Sequence, residues 1–113
     1  MVTTASRLLN MACTIRYRSD GPPDANNDPT DVWTDVETLC LIQQRARSES
    51  SDTSQVSSEV WGVYLSPDEI VPVSSDVLVV GDQTYPFIGN CWLAFDLAGR
   101  PDHIEGFAAR GEP

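Results

Sequence analysis

The sequence predicts an all-β domain, a small closed or partly open β-barrel of about six strands, and three observations predict it. Apolar and polar side chains alternate with a period of two from Cys13 onward. Short apolar runs are separated by clusters of glycine, proline and aspartate, and apolar positions do not recur at helical spacing outside the first dozen residues. Closure is the expected arrangement because it removes the exposed edges that so many short strands would otherwise leave.

Residues 1–12 mix helix formers with threonines over a length too short to hold an isolated helix, and are read as an N-terminal arm preceding a single barrel domain at 13–113. In the first strand, Cys13, Ile15 and Tyr17 share one face, and Thr14, Arg16 and Arg18 the other. Residues 19–31 hold two glycine or proline clusters and no apolar side chain larger than alanine, so a long exposed loop is expected, with Trp33 marking the return to the core. Residues 36–43, VETLCLIQ, are apolar on both faces in their second half and read as a central strand.

Residues 44–59 carry six serines and an isolated valine, too little apolar surface to offset the entropy of ordering them. A polar loop projecting from the barrel and mobile in the free protein is expected. Residues 60–65 return to strand composition and stop before Ser66 and Pro67. Residues 77–80 run into Gly81-Asp82, a glycine-first two-residue turn of type II′, and on into a strand at 84–88, where Pro86 signals an edge or bulge. An irregular stretch at 89–101, with Trp92, Leu93 and Phe95 plugging one end of the core, precedes a last strand at 103–109.

Composition excludes several functions. With 113 residues, 41% of them hydrophobic, the chain is expected to be one soluble domain with no membrane span, since no apolar run approaches the roughly 20 residues a membrane helix needs. Seventeen acids against seven basic residues, all arginine, leave a formal charge of -10, the wrong sign for a groove that neutralises phosphates. Cys13, Cys40 and Cys91 are odd in number and widely spaced, which suits reduced thiols packed as small hydrophobes, and the opening residues lack the continuous apolar region of a secretory signal.

No motif carries catalytic or metal chemistry. Asp24, Asn26 and Asp28, with Asp35 eleven positions beyond Asp24, resemble the ends of a calcium loop, but Pro29 follows where the turn glycine is needed and the terminal bidentate glutamate is missing. A solvated acidic loop is expected instead. His103 is the single histidine, so two-imidazole sites are ruled out, and neither a CxxC nor an activated nucleophile signature surrounds it or Cys91. Single turn glycines do not make a phosphate cradle, and the aromatics are not interleaved with cations as a stacking platform requires. No enzyme and no cofactor is expected.

Taken in order, an opening CTIRYR, the loop GPPDANNDPTDVW, the strand VETLCLIQQ, a long polar loop, the block VWGVYLSPDE, the hairpin VLVVGDQTYPFIG and a closing HIEGFAAR resemble the head-to-tail stoppers, or head-closure proteins, of long-tailed bacteriophages, particularly those of actinobacteria. Ser75-Asp76 stands where the family commonly has glycine-aspartate. The resemblance implies a virion protein of the neck, made in the cytoplasm of the bacterial host. It would form a ring of copies of itself, six or twelve, below the portal and the adaptor ring. The ring closes the DNA exit after packaging and offers a docking face to the tail terminator ring. Packaged DNA would pass or be blocked without specific binding. The resemblance also implies that the loop at 44–59 gates the channel, which places Gln44, Arg45, Arg47, Glu49, Asp52 and Gln55 there, and it puts adaptor or tail contacts at Asp24, Asp28, Asp31 and Arg100. Another neck or tail-completion protein, and an OB-like nucleic-acid-binding module, are the alternative readings. With little apolar surface to spare, the isolated chain is expected to be a monomer or weak oligomer.

Overall fold

The computed structural model describes residues 9–47 and 59–110. Six antiparallel strands, β1 (Met11–Gly21), β2 (Thr30–Arg47), β3 (Glu59–Leu65), β4 (Val77–Val80), β5 (Gln83–Phe95) and β6 (Pro101–Ala109), close into a barrel in the order β1-β2-β3-β6-β5-β4. No helix occurs among the described residues. Consecutive strands pair as hairpins except β3 and β4, which are linked by a crossover at residues 66–76.

The inward face follows the expected alternation. Cys13, Ile15, Cys40, Val63, Leu65, Leu78, Phe87, Ile104 and Ala108 form the buried core, joined by Tyr85 and Cys91. Cys13 and Cys40 pack side by side, and their contact, followed by burial, pushes the Cys13 thiol above its ordinary range. Burial, followed by the Asp76 charge, pushes Cys91 up to about 12. All three cysteines are free, buried and packed in the core.

Gly81 has φ of 61° while Asp82 has no positive φ, the signature of the II′ turn, and Val80 pairs with Gln83 across it. Pro86 sits opposite Val77, one residue before the β5–β6 ladder begins at Phe87 and Ala108, so its missing N–H breaks no bond of that ladder.

Four expectations are corrected. The loop at 19–31 shrinks to residues 22–29, because TDVWTDVET continues the alternation and β2 starts at Thr30, with Gly21 facing Thr30. Trp33 therefore does not enter the core: it lies on the outer face of the β1–β2 arm, 40% exposed. The polar loop at 44–59 begins later and ends earlier, since β2 and β3 remain paired to Arg47 and Glu59 after a bulge between Gln44 and Ala46. Met11 and Ala12, read as part of the arm, already belong to β1.

The stretch at 89–101 leaves the strands only at residues 96–100. Residues 89–95 continue β5, with register shifts between Ile88 and Trp92 and between Ala94 and Phe95. Trp92 and Phe95 stay 42% and 59% exposed and only Leu93 packs against the core. The end of the barrel is instead filled by the crossover, which buries Pro72 and Asp76 and packs Val71 against the core. Gly106 makes the bulge possible: a Cβ there would strike the Cys91 sulfur and lie 3.1 Å from the Cys91 Cβ.

Candidate docking surfaces

Strand direction sorts the surface into two ends. In a six-stranded antiparallel barrel the β1–β2 loop, the crossover and the β5–β6 turn share one end, and the β2–β3 connection, the Gly81-Asp82 turn and the start of β1 share the other. Asp24, Asp28, Asp31 and Arg100 thus fall together at the crossover end. Gln44, Arg45 and Arg47 lie on β2 toward the opposite end, while Glu49, Asp52 and Gln55 are outside the described residues.

At the crossover end the acidic loop satisfies itself. Asp24 accepts the backbone N–H groups of Asn26 at 2.8 Å and Asp28 at 3.0 Å through Oδ1, and its carbonyl accepts from Asn27, which takes a positive φ of 63°. Its geometry is that of an Asx turn. The β5–β6 turn repeats the device: Asp96 Oδ1 accepts from the amides of Ala98 and Arg100, both at 2.9 Å, and Gly99 supplies the left-handed position. Hydrogen bonds led by the Arg100 amide, against the opposing effect of desolvation, hold the Asp96 carboxyl below its ordinary range. The Arg100 guanidinium stays within 3.4 Å of Asp96.

Below the acidic loop, the outer face of the β1–β2 arm is laced across the strands. Arg16 lies 3.1 Å from Asp35 and 5.3 Å over the Trp33 ring, and Arg18 bridges Asp31 at 2.6 Å and Asp20 at 3.0 Å. Asp31, an expected partner contact, is therefore already engaged with Arg18 within the chain.

Residue alternation did not single out the chemistry at His103. Its Nδ1 lies 2.7 Å from Asp102 and its Nε2 3.1 Å from Glu105, with the Tyr64 ring 5.6 Å away. Burial opposes charging the ring, the two carboxylates outweigh it, and the pKa is raised. Both nitrogens are committed to carboxylates, so neither is placed to activate a thiol or hydroxyl. The sequence signal was present in D-H-x-E at strand spacing, where residues 103 and 105 share a face.

The outer wall of β5 and β6 is more apolar than composition suggested. Ile88 faces Phe107 across the strands, and the Trp92 ring lies 5.9 Å from Phe107. Leu39, Ile70 and Leu97 are also exposed.

No family model matches the chain, and no curated protein does. Among solved structures, a chain of the virion of a native gene transfer agent particle is similar over 91% of this chain and 96% of that one, with TM-score 0.62 and 14% identity. The likeness shows that the two chains share a fold.

Proposed function

We propose that the chain is a non-enzymatic structural component of a phage-type virion and, within it, a head-to-tail stopper. The observation that carries this reading is the match of nearly the whole barrel to nearly the whole of a chain from a virion particle, in agreement with the order of sequence blocks that resembles the stopper family. On this reading six copies, or twelve, form a ring between the adaptor ring and the tail terminator ring at the neck, without cofactor or membrane, and the segment around residues 44–59 gates DNA.

Charge supports the assignment of a wall that DNA slides past rather than a surface that grips it. Six copies at -10 each carry -60, which repels phosphates. The separation of the two ends also fits a ring component, since a gate on one end leaves the other free to dock. The exposed aromatic wall of β5 and β6 supplies apolar surface for contact with a neighbour.

Removing the gene from the phage or particle that encodes it provides the test. Particles lacking the protein should package DNA, lose it on storage and fail to acquire tails, and a supplied copy should restore both. Tailed, DNA-retaining particles in its absence would refute the reading, and an averaged map placing the protein in the tail tube would replace it with a tail-completion role.

A further inference from the structure

Residues 30–39 of β2 extend past the end of β3, whose ladder stops at Cys40 and Leu65, so over this length β2 pairs, among the described residues, with β1 alone. The direction of the free groups follows from one hydrogen bond. The Arg18 N–H points away from β2, toward Asp76. Peptide groups alternate along a strand, so the residues of β1 at even numbers point away from β2 and those at odd numbers toward it. Their cross-strand partners obey the same rule, and Asp31, Trp33, Asp35 and Glu37 turn their N–H and C=O groups to the side where none of the described strands lies. The Ser19 hydroxyl reaches the Val32 carbonyl on the β1 side, as the alternation requires.

Four donors and four acceptors in a row, on a strand rich in β-branched residues, form a template for another strand. Its chemistry narrows the occupant. The outer face of the arm carries Asp20, Asp31, Asp35 and Glu37 against Arg16 and Arg18, an acidic surplus directly beside the open edge. A second copy does not suit it: antiparallel pairing of two β2 edges about Asp35 sets Asp35 against its own twin and Trp33 against Glu37, and like charges directly opposite are destabilising.

We propose that the open edge of β2 at residues 31–37 accepts an extended basic segment of another protein as an added strand, the new backbone bonds supplying affinity and arginine or lysine at alternate positions supplying selectivity. This does not depend on the stopper assignment; in a virion neck an adjoining ring would offer such a segment.

The probe is a nine-residue peptide alternating arginine with threonine and valine, compared with the same peptide N-methylated at alternate residues, which keeps the charge and loses the edge donors. Amide exchange in the full chain is read residue by residue. The expected result is at least tenfold slower exchange at Asp31, Trp33, Asp35 and Glu37 with the first peptide and no slowing with the second. Glu37→Pro, which removes one edge N–H and no β1–β2 bond, should weaken binding severalfold. Equal slowing by both peptides, slowing by neither, or amides already protected in the free chain would overturn the proposal. Protection that grows with protein concentration alone would assign the edge to a second copy instead.

Discussion

Asp76 accepts the backbone N–H of Arg18 at 2.8 Å from 58 residues further along the chain, and with its other oxygen accepts the N–H of Val73, also at 2.8 Å. One buried carboxylate thereby ties the crossover to β1 and to itself, beside the point where β4 begins. A charged acceptor is tolerated there because amide donors replace its water.

Asp76→Ala leaves two amides without their acceptor. Charge-assisted bonds of this kind contribute about 1.5–3 kcal/mol each and are not additive, so a loss of about 3 kcal/mol is expected in urea unfolding. Asp76→Asn, keeping one acceptor and presenting a donor to the other amide, should fall between. Wild-type stability in Asp76→Ala would show that the crossover is held by Val71 and Pro72 packing alone.

Gly106→Ala tests the β5 bulge. The added methyl meets the Cys91 sulfur and lies 3.3 Å from the Cys91 Cα, so overpacking of roughly 1–3 kcal/mol is expected. Cys91→Ala in the same chain should restore part of it, because the sulfur is removed and the backbone contact is not. Full restoration would mean that the bulge can shift.

His103 makes stability depend on pH above its ordinary titration value. Its folded pKa is raised, so its contribution is complete below the unfolded value of about 6.5 and disappears as pH rises through the folded value. Urea midpoints should therefore decline as pH rises past about 6.5, and His103→Gln should remove most of that decline. A variant that keeps the full slope would assign it to another group.

The connection between β2 and β3 should be replaceable. Arg47 and Glu59 already face each other across the ladder, so a short Gly-Ser turn in place of residues 48–58 can close the hairpin at no greater entropic cost. An unchanged thermal transition is expected, while particles assembled with the variant should leak DNA yet still bear tails. Unfolding would make the segment structural; folded variants that retain DNA would move the gate elsewhere.

Trp92→Ala and Phe107→Ala act on the exposed aromatic pair. Each should cost the isolated chain about 1 kcal/mol or less, since both side chains remain near 40% exposed. Incorporation into particles should drop far more. Normal incorporation would place the subunit contacts on another wall.

The six strands and the II′ turn were legible because period-two patterning and a glycine-first dipeptide are local signals. Their lengths were not. Read from sequence, the loop ends at Asp31 and the strand starts only at Val36 because aspartates interrupt the apolar run, although threonine, valine and tryptophan between them keep the strand period. The plug was misassigned for a different reason: Trp92 and Phe95 are large and apolar, yet Gly89 and the following bulge turn them outward, and the small residues Val71 and Pro72 fill the end instead. Which end each expected contact occupies depends on strand order, and β6 inserting between β3 and β5 is a long-range fact that no window of sequence contains. The Asp102, His103 and Glu105 group required knowing that β6 continues to Pro101.

The β1–β2 arm has a mechanical consequence. Tension applied at its tip, residues 22–29, pulls both strands the same way and leaves their mutual ladder unloaded; it is carried as sliding of β2 along β3 and of β1 along β4. In that geometry many bonds must yield together rather than one after another, so a tether at the tip transmits force into the whole barrel wall. Whatever grips that arm can haul on the subunit without peeling it open.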